Sequence, residues 1–78
     1  MNQELWQYFN NCTVVDKGIR IHAGTQLVRS GLTDMEILCE MLEHEPNKVL
    51  KIRNIGMKSI IAIQKVCEAY RRERGGMF

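Results

Sequence analysis

Proline is almost absent from this chain, with Pro46 the single example in 78 residues, and aromatic residues make up only 6%. Leu, Ile, Met, Lys and Glu take their place, a balance that favours helices over a sheet. No apolar run approaches the ~20 residues that cross a bilayer, so no membrane partner is expected. The stretch MNQELWQYFNN has neither a basic n-region nor an apolar h-region, so no secretory signal is expected either. Cysteine is scarce and odd in number: Cys12, Cys39 and Cys67 lie far apart, mostly between apolar neighbours. They read as reduced thiols of a cytoplasmic protein rather than as a disulfide framework. No C-x-x-C or H-x-x-x-H pairing joins them to His22 or His44, so neither a metal nor another cofactor is expected. Glu36, Glu40 and Glu43 recur on neighbouring helical turns, but no nucleophile or tuned base accompanies them. An enzyme is therefore not expected, because acid–base catalysis needs a paired and environment-tuned group.

What remains is an ordinary globular composition, 45% hydrophobic and 26% charged, in a chain long enough for one small domain. The expected fold class is all-α, a compact bundle of four to five short helices. Residues 2–10 predict a short helix with Leu5, Trp6 and Phe9 on one side. Such a helix is too short to stand alone, so its aromatic face packs on the domain or on a second copy of the chain. Residues 11–18 read as a loop. From Arg20 to Ser30, Ala23, Leu27 and Val28 recur at helical spacing, with Ile21 one turn earlier. Gly31 supplies a left-handed residue after the helix and Leu32 its apolar cap. Thr33 with Glu36 spells a capping box, and Ile37, Leu38, Met41 and Leu42 give the next helix its buried stripe. Pro46 suits the first position of another short helix, with Val49, Leu50 and Ile52 as its apolar side. The longest helix follows, from about Met57 to Arg74, with Ile60, Ile63, Val66, Cys67 and Tyr70 in its stripe.

Charge divides unevenly along this pattern. Gly31 to Glu45 holds five acids and no Lys or Arg, whereas Pro46 to Phe78 holds eight bases and two acids. One basic end on a small domain fits a polyanion partner. The segment KIRNIGMKSI (51–60) then reads as the turn of a helix-hairpin-helix. Gly56 allows close approach, Asn54 tolerates a left-handed backbone, and Ile55 points back to the core. The amides of Gly56, Met57, Lys58 and Ser59 become donors at the positive end of a helix, an arrangement that binds phosphate oxygens. Lys58 adds a mobile charge and Ser59 a hydroxyl. Arg71, Arg72 and Arg74 form a further basic cluster, as either a solvated helix end or a phosphate contact.

VLKIRNIGMKSIIAI (49–63) resembles the DNA-binding C-terminal domain of the bacterial RNA polymerase alpha subunit, whose hairpin reads L-K-x-x-N-x-G-x-K-S-L. LVRSGL (27–32) resembles the end of that domain's first helix, and the acidic helix 34–42 its second. The likeness covers residues 19–72 and is most specific over 49–63. It divides the chain into an N-terminal helix and loop (1–18), the domain (19–74) and a tail (75–78). It implies a bacterial, transcription-related module that grips DNA at an A/T-rich minor groove and touches RNA polymerase or transcription regulators. Carried over, Asn54, Gly56, Lys58 and Ser59 match the hairpin part, with Arg53 beside them. The family's key first-helix arginine falls on His22 and its asparagine partner on Thr25, while Arg20 lies earlier on the same helix. An arginine suits a narrow, negative minor groove better than a histidine does. The alternative is therefore a protein-interaction or dimerisation module of the same fold, with Leu5, Trp6 and Phe9 as a homodimer contact.

Overall fold

In the structure, a computed structural model that describes residues 4–75, the chain begins with α1, Leu5–Asn11. Asn2 and Gln3, expected in this helix, lie outside the described residues, as do Gly76 to Phe78 of the tail. Seven residues do not sustain a helix in water, and α1 is held by its neighbours. The Leu5 amide donates to the Thr33 carbonyl at 2.9 Å, and an isolated antiparallel bridge pairs Glu4 with Asp34. Leu5 and Phe9 are fully buried in the common core, so of the three side chains considered for a homodimer Trp6 alone reaches the surface, at 37% exposed.

Helix α2 runs Lys17–Arg29 and starts three residues before the expected Arg20. Its beginning is set by Asp16, whose Oδ2 accepts from the Gly18 amide at 3.2 Å, a side-chain cap that periodicity alone does not reveal. Its end matches expectation. Gly31 has φ of 99°, its amide donates to Val28 at 3.0 Å, and the Leu32 amide donates to Leu27 at 3.0 Å. Those two bonds are the paired closure of a Schellman motif.

Helix α3, Met35–His44, departs from expectation in two ways. Its cap is Asp34, not Thr33: Asp34 Oδ1 accepts from the amides of Glu36 at 2.7 Å and Ile37 at 3.3 Å. Glu36 instead accepts from the Tyr70 hydroxyl at 2.6 Å. The buried stripe is also rotated, to Met35, Leu38 and Cys39, with Met41 and Leu42 half-buried and Ile37 53% exposed. Helix α4, Pro46–Leu50, has its proline in the first turn and buries Val49, while Leu50 faces outward. Helix α5, Met57–Gly75, buries Ile60, Ile63, Val66, Cys67 and Tyr70, as its spacing predicts.

The described residues therefore make an all-α fold of five helices. Helix α5 is shared: α2 packs on it, with α1 against α2, and α3 packs on it too, with α4 against α3. Tyr8 of α1 meets Tyr70 edge-on, ring centroids 5.2 Å apart, which ties the first helix to the last and adds to simple burial. No helix among the described residues is long and apolar enough to cross a membrane.

The crossing of α1 over α2 depends on Gly24, where an added Cβ would stand 3.3 Å from the Trp6 ring and 3.4 Å from Phe9. Gly24→Ala is expected to change stability by less than about 1 kcal/mol, because better helix propensity offsets the tight contact. Gly24→Leu is expected to cost about 1–3 kcal/mol by overpacking, read by urea unfolding with Trp6 fluorescence. A Leu variant as stable as the parent would contradict the close crossing.

Candidate nucleic-acid interface

The turn between α4 and α5 is built in small steps. The Lys51 amide donates to Asn47 and that of Ile52 to Val49, both at 3.1 Å, which ends α4. The Ile55 amide then donates to Ile52 at 3.2 Å, closing a four-residue turn with Arg53 and Asn54 at its centre. Asn54 has φ of 65°, the only non-glycine positive φ among the described residues. A positive angle at that third position is what a type II turn requires, and Asn is one of the few side chains that accept it. Ile55 packs half-buried against the core and anchors the turn from below.

Gly56 begins α5 by accepting the Ile60 amide at 2.9 Å. The amides of Gly56, Met57, Lys58 and Ser59 take no part in the turn and cap hydrogen bonds among the described residues, and they stand at the positive end of a 19-residue helix. Gly56 is not needed for its backbone angle, and an added Cβ there would meet nothing within 4 Å. The close approach expected of Gly56 is therefore not one made within the chain. Met57 and Lys58 are exposed, but Ser59 is buried, so its hydroxyl is the least accessible of the expected hairpin groups.

Helix α2 lies alongside this turn. His22 Nε2 is 3.1 Å from the Asn54 carbonyl oxygen. A carbonyl only accepts, so the imidazole donates from Nε2–H, which fixes where its proton sits. The bond joins residues 32 apart in sequence. One and two turns further along the same face of α2 come Gln26 and Arg29. With Ser30, Ile52, Arg53 and Asn54 they line a cleft of about 430 Å³. Thr25 is half-buried and does not line it. Arg20 is engaged elsewhere: it donates to the carbonyls of Val15 at 3.1 Å and Asn10 at 3.2 Å, closing the link between α1 and α2. Its Nε is buried without a partner.

The basic end expected from the sequence separates into two populations. Arg71 pairs with Glu43 at 2.6 Å, Arg74 with Glu36 at 3.4 Å, and Lys48 with Glu45 at 2.9 Å. Hydrogen bonding and charge from Arg71 hold the Glu43 carboxyl below the usual range. Arg74 also lies 5.5 Å over the Tyr70 ring. The acidic α3 thus neutralises much of the second half of α5. Arg29, Lys51, Arg53 and Lys58 form no ion pair among the described residues, and neither do Lys17, Lys65 and Arg72. Four of these unpaired bases, Arg29, Lys51, Arg53 and Lys58, stand at the cleft and the turn. No group of three or more metal-ligating side chains occurs among the described residues.

The structure brings His22, Arg53 and Asn54 together and sets beside them Gln26 and Arg29, which the sequence did not single out. Their signal was present in the i, i+4, i+7 spacing from His22, but it shows only once that face of α2 is known to meet the turn.

Asn54→Gly is expected to keep stability within about 1 kcal/mol, whereas Asn54→Val is expected to lose more than about 1 kcal/mol, because a β-branched residue strains at positive φ. Urea unfolding of both variants is the check, and equal losses would contradict the left-handed turn. Comparison with protein-family models, with curated proteins and with solved structures finds nothing that matches this chain.

Proposed function

We propose that the chain is a DNA-binding module in which α4, the turn and α5 act as a helix-hairpin-helix on the sugar–phosphate backbone. The observation that carries this reading is the His22–Asn54 hydrogen bond of 3.1 Å. It brings the face of α2 bearing Arg29 against the turn bearing Arg53, beside a helix start with free amides. A backbone phosphate accepts hydrogen bonds from the amides of Gly56 to Lys58. Arg29 and Arg53 hold neighbouring phosphates through their forked guanidinium donors, and Lys58 adds a point charge. The arginine that the RNA polymerase alpha resemblance expects at His22 is replaced in this scheme by Arg29 and Arg53, while His22 becomes the brace between helix and turn. Arginines at a narrow A/T-rich minor groove favour that sequence class, and the resemblance supports transcription as the setting.

A second reading has one observation in its favour. Met57 and Ile61, one turn apart on α5, are 75% and 45% exposed. An apolar pair next to the turn suits a protein partner, and the same fold would then serve as an interaction module.

Fluorescence anisotropy against A/T-rich and G/C-rich duplexes separates the two readings. Contact with ~3–4 phosphates predicts that log K falls with log salt at a slope of about −3. Arg29→Ala and Arg53→Ala are each expected to weaken binding and to reduce that slope by about 1. Arg71→Ala, in the ion-paired population, is expected to leave the slope unchanged. Absence of binding at low salt would overturn the proposal and leave the interaction module as the better account.

A further inference from the structure

Helices α3 and α5, with Pro46, line a second cleft, of about 310 Å³. Cys39 of α3 and Cys67 of α5 both line it, together with Glu43 and Arg71. The two side chains thus face one cleft from adjacent helices, and each residue is only 3% exposed. Arg71 donates to the Cys39 carbonyl at 3.2 Å, which sets its guanidinium beside that residue, and its other anchor is Glu43 at 2.6 Å. We propose that Cys39 and Cys67 form a thiol pair that reacts with hydrogen peroxide and closes to a disulfide between α3 and α5.

The guanidinium of Arg71, held at the Cys39 carbonyl, assigns the roles. The hydrogen bond from Cys67 and the charge of Arg71 pull the Cys39 thiol towards its thiolate, against the cost of burial. The Cys67 thiol is held protonated by its bond to Cys39 and by burial. The thiolate is the reactive form, so Cys39 attacks first. Its sulfur forms a bond to one peroxide oxygen, the O–O bond breaks, and hydroxide leaves to become water after taking a proton. Sulfur is oxidised by two electrons to a sulfenic acid and the peroxide is reduced. Cys67 then attacks the Cys39 sulfur, the S–O bond breaks, and the departing oxygen leaves as water with the Cys67 proton. Two thiols and one peroxide thus yield one disulfide and two waters. Cys12, also buried, lines a different cleft with Tyr8, Ala69 and Glu73 and supplies an internal control.

Full-length protein treated with hydrogen peroxide, alkylated and mapped by mass spectrometry tests this. The expected result is a Cys39–Cys67 linked peptide, with the intact mass lower by about 2 Da, formed roughly tenfold faster than Cys12 is oxidised and reversed by dithiothreitol. In urea that preference should vanish. The Cys67→Ser variant, its fold checked by circular dichroism, should instead accumulate sulfenic acid at Cys39 that a dimedone probe captures. Oxidation of Cys12 as fast as that of the pair, or wild-type protein alkylated at both Cys39 and Cys67 after treatment, would overturn the proposal.

Discussion

Gly24 leaves α2 without a side chain where Trp6 of α1 crosses it, and an added Cβ would stand 3.3 Å from the indole. That close approach lets Leu5 and Phe9 enter the core shared with Leu27, Ile63 and Val66. It matters beyond stability, because α2 is a 13-residue helix with two surfaces to serve. With α1 crossing at Gly24, the face of His22, Gln26 and Arg29 is left for the α4–α5 turn. The His22–Asn54 bond follows from that division. It is an exposed contact and contributes little to stability by itself, since a typical net gain is about 1 kcal/mol. Its importance is geometric: it sets the first half of the chain against the turn.

The distribution of charge follows from packing as well. Helix α3 and its two capping residues, Asp34 and Glu45, carry five of the nine acids, and α3 lies against α5, where it meets Arg71 and Arg74. Exposed pairs of this kind contribute about 0–1 kcal/mol each, so their number says little about stability. They do determine where positive potential persists. With those arginines matched, the unpaired bases that lie close together in the chain are Lys51, Arg53 and Lys58, and with Arg29 they offer a polyanion a local attraction at the turn. The same packing of α3 on α5 places Cys39 and Cys67 in one cleft, which shares no lining residue with the cleft at the turn.

Local chemistry was legible in the sequence wherever one residue type has one strong conformational use. Pro46 marked the first turn of α4, Gly31 with Leu32 marked the Schellman closure, and Asn54 marked the left-handed turn. The stripe of α5 was also legible, because a long helix averages over many periods. Phase was harder to read in shorter helices. In α3, Ile37 is as apolar as Leu38 but lies on the solvent side, and only the position of α5 decides between them. Thr33 and Asp34 are both capable caps, and Asp34 takes the role while the Thr33 carbonyl receives the Leu5 amide. Arg20 and Arg29 are alike in sequence. One closes a loop and the other faces a cleft, a distinction fixed by tertiary contacts alone.

Chemical-shift mapping of isotope-labelled protein titrated with a short A/T-rich duplex tests the proposed interface most directly. The account predicts the largest changes at the amides of Gly56, Met57 and Lys58 and at the side chains of Arg29 and Arg53, with Cys39 to Glu45 and Arg71 little affected. Shifts centred on α3 and the second half of α5, or none at low salt, would contradict it.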